Sequence, residues 1–469
     1  MPSRGRSRLI VVSNRVGPVS DGTRAGGLAV ALVDALRARG GVWFGWSGSR
    51  SEHALTSPVM RYHGRLSLAT LPLSDDDYNE FYRGFANSSL WPLFHYRIDL
   101  TTFDRQQFHG YLRVNHRFAR TLRGLLRADD TVWVHDYHFL AMAEELRRKG
   151  CAQRIGFFLH TPFPAPEVLI TLPVHDRLVR AMFGYDLIGF QTEADRRCFA
   201  RYVVDEAGGT EHDDGTLTAF GRTLTARAFP ISIDTDAFAR MAREKEAQSH
   251  LARMRNLLQG RTQVVGVDRL DYSKGLPQRV LAFRQLLVSY PENRGAASFL
   301  QIAPRSRTDV SQYRNIRAEL EGLAGSINGE FGNYDWTPIR YLGRAFSRRA
   351  LAGIFRASRV GLVTPLRDGM NLVAKEYVAA QSARNPGVLV LSRFAGAAAQ
   401  LREALIVNPY DLQGVADALQ RALNMPLEER RERWQALMKG LRTQHVAAWT
   451  EAYLAALGHG QGAAVTGKR

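Results

Sequence analysis

The sequence predicts an α/β fold made of two doubly wound parallel sheets, and three observations carry that reading. Short, continuously apolar, β-branched runs alternate with longer helical patterns almost from end to end, which implies parallel strands covered on both faces. The pattern restarts near residue 263, so there are two sheets rather than one. The chain has 469 residues, enough for two to three domains at about 150 residues each. Its 45% hydrophobic and 23% charged residues exclude wholesale disorder.

The first strand is expected at 8–13 (RLIVVS), followed by a helix over 28–38 with Leu28, Leu32, Ala35 and Leu36 on one face. The stretch 78–97 is dense in aromatics, with Arg83 and Arg97, and reads as a packed loop. An aromatic wall beside arginine also suits a sugar phosphate. Further strands are predicted at 131–135, 155–160, 186–190 and 227–231, with a polar hairpin or insertion at 206–222. A charged helical stretch at 237–259 caps one domain or links the two, which places the boundary near 235. The second set of strands is 263–268, 298–303, 339–342, 360–364, 388–392 and 405–408. Residues 412–457 read as helical throughout, with Trp434, Trp449, Tyr453 and Leu457 supplying apolar faces. The division is thus an N-terminal domain 1–235, a C-terminal domain 236–458 whose last helices are free to pack back on the first, and a flexible tail 459–469.

Charge and cysteine content narrow the class. Lys+Arg minus Asp+Glu is 63 − 45, or +18, and only six of the cations are lysine. Arginine's planar fork suits phosphate and carboxylate. The arginines are scattered rather than gathered on a face with stacking aromatics, which argues against a nucleic-acid partner. Two cysteines, Cys151 and Cys198, cannot build a disulfide framework. The N-terminal apolar run is too short for a signal peptide and no stretch reaches about 18 apolar residues, so a cytoplasmic protein without membrane contact is expected.

Ligands of open α/β sheets bind at the carboxyl ends of strands, so the chemistry belongs in the loops there, facing a cleft between the two sheets. After the first strand, Ala25-Gly26-Gly27-Leu28 opens a helix, and glycines there let backbone amides approach an anion. It is not the GxGxxG dinucleotide fingerprint. The strand at 263–268 exits into Asp268-Arg269-Leu270-Asp271-Tyr272-Ser273-Lys274-Gly275. Arg269 and Lys274 bracket this tight loop and could clamp a diphosphate; the alternative is a salt bridge to Asp268 or Asp271. The next strand exits into Pro304-Arg305-Ser306-Arg307. In 360–381, VGLVTPLRDGMNLVAKEYVAAQ, Asp368 stands in the loop at a helix mouth and Glu376 about one turn inside. Two carboxylates there could accept hydrogen bonds from sugar hydroxyls; the alternative makes Asp368 a plain loop residue and Glu376 a solvated one. Histidines gather in His135-Asp136-Tyr137-His138 and at His160. Their spacing fits no HExxH pattern, so hydrogen bonding to substrate is favoured over a metal.

Long motifs then point to a family. They are SNR at 13–15, AGGL at 25–28, GVWFGWSG at 41–48, LWPLFHYR at 90–97, VWVHDYHF at 132–139 and HTPFP at 160–164. They continue as GVDRLDYSKG at 266–275, IAPRSR at 302–307, VTPLRDGMNLVAKEYVAAQ at 363–381 and IVNPYD at 406–411. The chain resembles the trehalose-6-phosphate synthases from Leu9 to about Trp449. The resemblance implies the GT-B architecture, two Rossmann-like domains facing a central cleft, and a retaining transfer of glucose from a nucleotide diphosphate glucose, UDP-glucose foremost, to glucose 6-phosphate. Glycerol 3-phosphate is the alternative acceptor.

Carried over residue by residue, the resemblance implies that Arg269 and Lys274 hold the donor diphosphate and Glu376 the ribose. Asp368 with the amides of Gly369, Met370 and Asn371 would hold the donor glucose, and Leu372 and Val373 would add amides at the diphosphate. Phe346 matches a nucleobase-side contact and Gly27 falls near the donor. Arg15, Tyr82, Trp91 and Arg307 match acceptor-phosphate positions, with Trp46 lining the pocket, Asp136 at an acceptor hydroxyl and His160 beside the anomeric centre. No cofactor or metal is implied, and a separate phosphatase would act on the product. A homo-oligomer is neither required nor excluded.

Overall fold

The structure, a computed structural model, describes residues 8–17, 32, 33, 35–37, 39–305 and 311–459. Part of the helix expected at 28–38, the tail from 460, Gly27 and Arg307 lie outside the described residues. The chain forms two compact units: Met1–Pro230 with Ala447–Arg469, and Ile231–Val446. The break falls at 230/231 rather than 235, and residues from Ala447 onward belong to the first unit rather than the second. No described helix is long and apolar enough to cross a membrane.

The first unit is built on ten strands: β1 (Leu9–Arg15), β2 (Gly41–Ser51), β3 (Val59–His63), β4 (Leu66–Ser74), β5 (Thr131–His135), β6 (Arg154–Phe158), β7 (Leu187–Phe190), β8 (Thr210–Glu211), β9 (Thr216–Ala219) and β10 (Arg222–Ala228). They lie in the order β3-β4-β2-β1-β5-β6-β7-β10-β9-β8. β4 through β10 are parallel, and the two edges are antiparallel ribbons. The polar stretch 206–222 forms the second ribbon. The strand expected at 227–231 runs earlier, because its register is fixed by pairing Thr225 to Leu187.

β2, β3 and β4 were not among the predicted strands. The glycines that dilute the β2 signal serve packing: a Cβ at Gly45 would sit 2.1 Å from the Ser13 carbonyl oxygen of β1. The aromatic stretch is also not a loop. Tyr78–Leu90 is helical with i→i+5 bonding, so that the Trp91 N–H donates to the Ala86 carbonyl. Helices of this kind mostly occur as single-turn bulges, often at functional sites. Burial of Phe81 and Phe85 against Tyr111 holds this longer run in place.

The last helix, Val446–His459, completes the first unit's core. Tyr453 is fully buried, stacks on Trp133 at 4.5 Å and donates its hydroxyl to the Phe157 carbonyl at 3.0 Å. Gly156 of β6 makes room for it, since a Cβ there would lie 2.4 Å from the Tyr453 hydroxyl. Trp449 donates to the Phe229 carbonyl at 3.0 Å.

The second unit carries β11 (Thr262–Val267), β12 (Ala297–Ile302), β13 (Ile339–Leu342), β14 (Val360–Val363), β15 (Val388–Ser392) and β16 (Leu405–Val407). All pairs are parallel, in the order β13-β12-β11-β14-β15-β16. β11 and β14 are buried along almost their whole length, which is why they read as unbroken apolar runs. The charged stretch 237–259 is two helices, Thr235–Met241 and Lys245–Leu258. The stretch 412–457 is three, Leu412–Asn424, Leu427–Thr443 and Val446–His459, and the first break falls at Met425-Pro426, where proline opens the next helix.

The parallel part of each sheet reverses its order once, between β1 and β5 in the first unit and between β11 and β14 in the second. The carboxyl ends of those strand pairs are the switch points where open α/β sheets bind ligands.

Candidate active site

At the second unit's switch point, the loops after β11 and β14 are bound to one another. The Leu366 N–H donates to the Ser273 carbonyl at 2.8 Å. Gly275 has φ +62°, and a Cβ there would stand 2.5 Å from the Thr364 carbonyl oxygen, so the turn demands glycine. Fully buried Arg279 donates to Asp268 at 2.8 Å and to the Thr364 hydroxyl at 3.0 Å, riveting the two loops together. Of the two salt-bridge alternatives, Asp268 is taken by Arg279, while Arg269 does stand at Asp271, at a long 4.0 Å.

Lys274 is buried and reaches across to Asp368, donating to its carboxylate at 2.5 Å. Asn371 donates to the same carboxylate at 3.0 Å and to Asp268 at 3.2 Å. Asn371 sits at φ +73° and caps the helix Leu372–Ala380 by accepting from the Ala374 N–H. Asparagine tolerates that backbone better than most residues. The amides of Leu372 and Val373 belong to the first helical turn, where no intrahelical acceptor exists, and the helix dipole favours an anion. Lys274, Asp368 and this amide ring thus share one spot. Gly369 and Met370 are buried in the loop beneath it.

Arg269 differs from Lys274. Its side chain is 48% exposed and its guanidinium lies 4.0 Å from Asp271. Glu376 is buried rather than solvated, one turn into the helix, and receives a bond of 3.2 Å from Arg348. Burial pushes its carboxyl pKa up, and Arg348 pulls it part of the way back. Phe346, in the loop after β13, is half-buried under the Arg344 guanidinium, 4.8 Å from its ring centre. Arg305, at the exit of β12, is exposed.

The first unit gathers its own set at the ends of β1, β2, β5 and β6. Arg15 closes β1 with its guanidinium 5.9 Å from the Trp46 ring centre. Trp46 packs on Tyr82 at 5.2 Å and on Tyr78 at 5.9 Å. Tyr82 stacks on His138, His138 on Tyr137, and Tyr137 meets Trp91 at 5.7 Å. Arg15, Trp46, Tyr82 and Trp91 therefore stand on one continuous aromatic surface, carried by the wide helix. Tyr78, Tyr137 and His138 complete it: the first belongs to the aromatic stretch and the other two to the histidine cluster of the sequence analysis, which gave none of them a place on this surface.

Asp136 follows β5 at φ +72°, held there by an N–H bond to the Phe158 carbonyl at 2.8 Å. Its carboxylate accepts from the His160 N–H at 3.3 Å. The His160 ring is committed on both sides, to His135 Nδ1 at 3.0 Å and to the Gln191 amide at 3.4 Å. Burial drives its pKa down to about 3 and that of His135 well below the ordinary histidine value. A neutral ring with both nitrogens hydrogen-bonded is suited to positioning rather than to giving up a proton. Gln191 was missed because it lies 31 residues from His160 in sequence.

A pH consequence follows. Between pH about 3 and 6.5 the unfolded chain binds a proton at His160 that the folded chain refuses, so stability falls as pH drops through that window. We expect a His160→Asn variant to lose less stability than wild type between pH 6.5 and 4.5, measured by denaturant unfolding. Equal losses would remove His160 from the account.

The chain as a whole has close relatives. The profile of glycosyltransferase family 20 matches residues 12–459. The trehalose-6-phosphate synthase of Sinorhizobium fredii is 48% identical over 453 residues, 96% of this chain and 97% of that protein. Among solved structures, the UDP-forming α,α-trehalose-phosphate synthase of Burkholderia xenovorans in complex with glucose-6-phosphate is 51% identical, with TM-score 0.92 over 96% of this chain and all of that one. The E. coli structure bound with UDP-2-fluoro glucose is 48% identical, with TM-score 0.93 over 97% of this chain and 99% of that one. With nearly its whole length matched, the chain belongs to glycosyltransferase family 20.

Proposed function

We propose that the protein moves glucose from UDP-glucose to glucose 6-phosphate with retention, forming α,α-trehalose 6-phosphate and UDP. The observation that carries this reading is the Lys274–Asp368–Asn371 cluster at the mouth of the helix Leu372–Ala380, where a cation, a carboxylate and unpartnered amides meet. It suits a sugar diphosphate, with Arg269 and Lys274 at the diphosphate, Asp368 and the Gly369–Asn371 loop at the glucose, and Glu376 at the ribose. Phe346 stands on the nucleobase side. In the first unit, Arg15, Tyr82 and Trp91 would grip the acceptor phosphate against Trp46, and Asp136 would orient the attacking hydroxyl. The His160 backbone N–H holds Asp136 in place, and Gln191 and His135 fix the His160 ring. The names of the relatives favour glucose 6-phosphate and UDP-glucose, and give no support to glycerol 3-phosphate. We place the enzyme in the cytoplasm and leave the product's phosphate to a separate phosphatase.

Retention follows from same-face displacement. The bond from C1 to the diphosphate oxygen breaks as the acceptor hydroxyl bonds to C1 on that side, and the departing diphosphate takes the hydroxyl proton. The protein's share is positioning and stabilisation of the leaving charge by fixed cations.

A nucleotide-release assay tests the reading by crossing UDP-, GDP- and ADP-glucose with glucose 6-phosphate, glucose and glycerol 3-phosphate. UDP release with glucose 6-phosphate alone, and a product with two α-anomeric protons by NMR, are expected. Equal kcat/KM with glycerol 3-phosphate would overturn the acceptor. Glu376→Gln should raise the KM for UDP-glucose at least tenfold with a smaller change in kcat, since a hydrogen bond to a charged group is worth about 1.5–3 kcal/mol.

A further inference from the structure

Many of the described arginines are paired with a carboxylate, as in Arg8–Asp130, Arg147–Asp186 and Arg284–Glu330. In one place several that are not so paired stand together. A cavity of about 490 Å³ in the second unit is lined by Arg255, Arg261, Arg356, Arg359 and Arg384, and by no Asp or Glu among the described residues. Arg261 is paired with Asp335 at 2.7 Å. The guanidinium groups of the other four make no hydrogen bond or ion pair with any described residue. Arg430, buried behind the wall and bonded to Asn385, adds a further positive charge.

The arrangement carries a cost that an anion would remove. Arg356 is half-buried, and burial first, then Arg243 and Arg255, works against its positive charge. Arg255 and Arg356 each stand in the last turn of a helix, where a cation complements the dipole. Arg359 and Arg384 have no such excuse: Arg359 immediately precedes β14 and Arg384 lies in the loop before β15. Concave walls of one sign focus the field and concentrate counter-ions.

The cavity is not the donor site. It is lined by Thr262 and Gln263 at the start of β11, Ser358 and Arg359 before β14, and Gly387 before β15. These are the amino ends of the strands whose carboxyl ends carry Lys274 and Asp368, and the six residues of β11 put about 20 Å between the two. We infer that this arginine-lined cavity is a second anion site, built for a compact phosphate-bearing ligand with two or more negative charges. Forked guanidinium groups on several walls suit phosphate oxygens, which accept paired bonds.

The test uses the full chain with Arg269→Ala and Lys274→Ala to weaken binding at the donor loops. Calorimetric titration with inorganic pyrophosphate at physiological salt should show one saturable site with Kd below about 1 mM. Adding Arg356→Ala and Arg359→Ala should weaken it at least tenfold. If circular dichroism shows that variant unfolded, Arg384→Glu, an exposed loop change, should weaken it at least fivefold instead. A parallel titration with glucose 6-phosphate, in the same chain carrying also Arg15→Ala and Tyr82→Ala to disable the acceptor pocket, separates an inorganic ligand from a sugar-borne phosphate, whichever binds more tightly. Binding of both anions unchanged by the arginine substitutions, or no saturable binding of either, would overturn the inference.

Discussion

Arg269→Ala is expected to lower kcat by a factor of about 10²–10³ while leaving the melting temperature almost unchanged. The magnitude is that of removing one preorganised donor from a developing oxyanion. The unchanged stability follows from exposure: the side chain is half in solvent and its contact with Asp271 is a long 4.0 Å, and surface substitutions of that kind stay within about 0.5 kcal/mol. Lys274→Ala should cost activity at least as much and also lower the melting temperature, because it leaves the Asp368 carboxylate without its buried cation. The double variant should fall short of the product of the two single losses, since both cations act on one leaving group. Steady-state kinetics with thermal melts decide it. A turnover within threefold of wild type for Arg269→Ala would sink the proposed role.

Lys375→Met is expected to flatten the rise of stability with pH above neutrality. Lys375 is fully buried in the helix that carries Glu376, and its ammonium donates to the Ile231 carbonyl and to Gln400, both at 2.6 Å. No carboxylate is among these partners, and burial pulls its pKa down to about 7 from an ordinary 10.5. Between those values the unfolded chain holds a proton that the folded chain releases, so folding gains as pH rises from about 7 towards 10.5. At about 1.4 kcal/mol per pH unit the ceiling is roughly 5 kcal/mol, and relaxation around the charge will reduce it. Other groups contribute equally to both proteins, so the difference between their stability curves isolates Lys375. Methionine also strands two acceptors, at about 1–3 kcal/mol each, which shifts the variant's curve down without tilting it. Parallel curves for the two proteins from pH 7 to 10 would refute the assignment.

Much of this was legible in the residues, for a physical reason. β11, β14 and β15 are buried on both faces, so their sequences are short, mostly apolar runs rich in β-branched residues and bounded by turn signals. β2 was not legible, because the glycine that lets it approach β1 removes the side chains by which a strand is read. The wide helix at Tyr78–Leu90 was missed because i→i+5 bonding has no familiar periodicity. Within the site, Lys274 and Asp368 stood out as polar residues at strand exits, and Glu376 as a carboxylate one turn into the helix that follows. Their partners did not. Arg279 reads as an ordinary helix residue, yet it lies fully buried and takes Asp268 away from the neighbouring cations. Gln191 acts through space on His160, from an element far away in the chain.

The return of the chain at Ala447 bears on how the molecule is made. A ribosome emits the first 230 residues long before Trp449 and Tyr453, whose rings close the sheet between Trp133 and Phe157. The second unit is continuous in sequence, so its core is complete while the earlier one still has an open flank. Vectorial synthesis should therefore finish the later unit first, and the nascent first unit should need shielding until the final helix arrives.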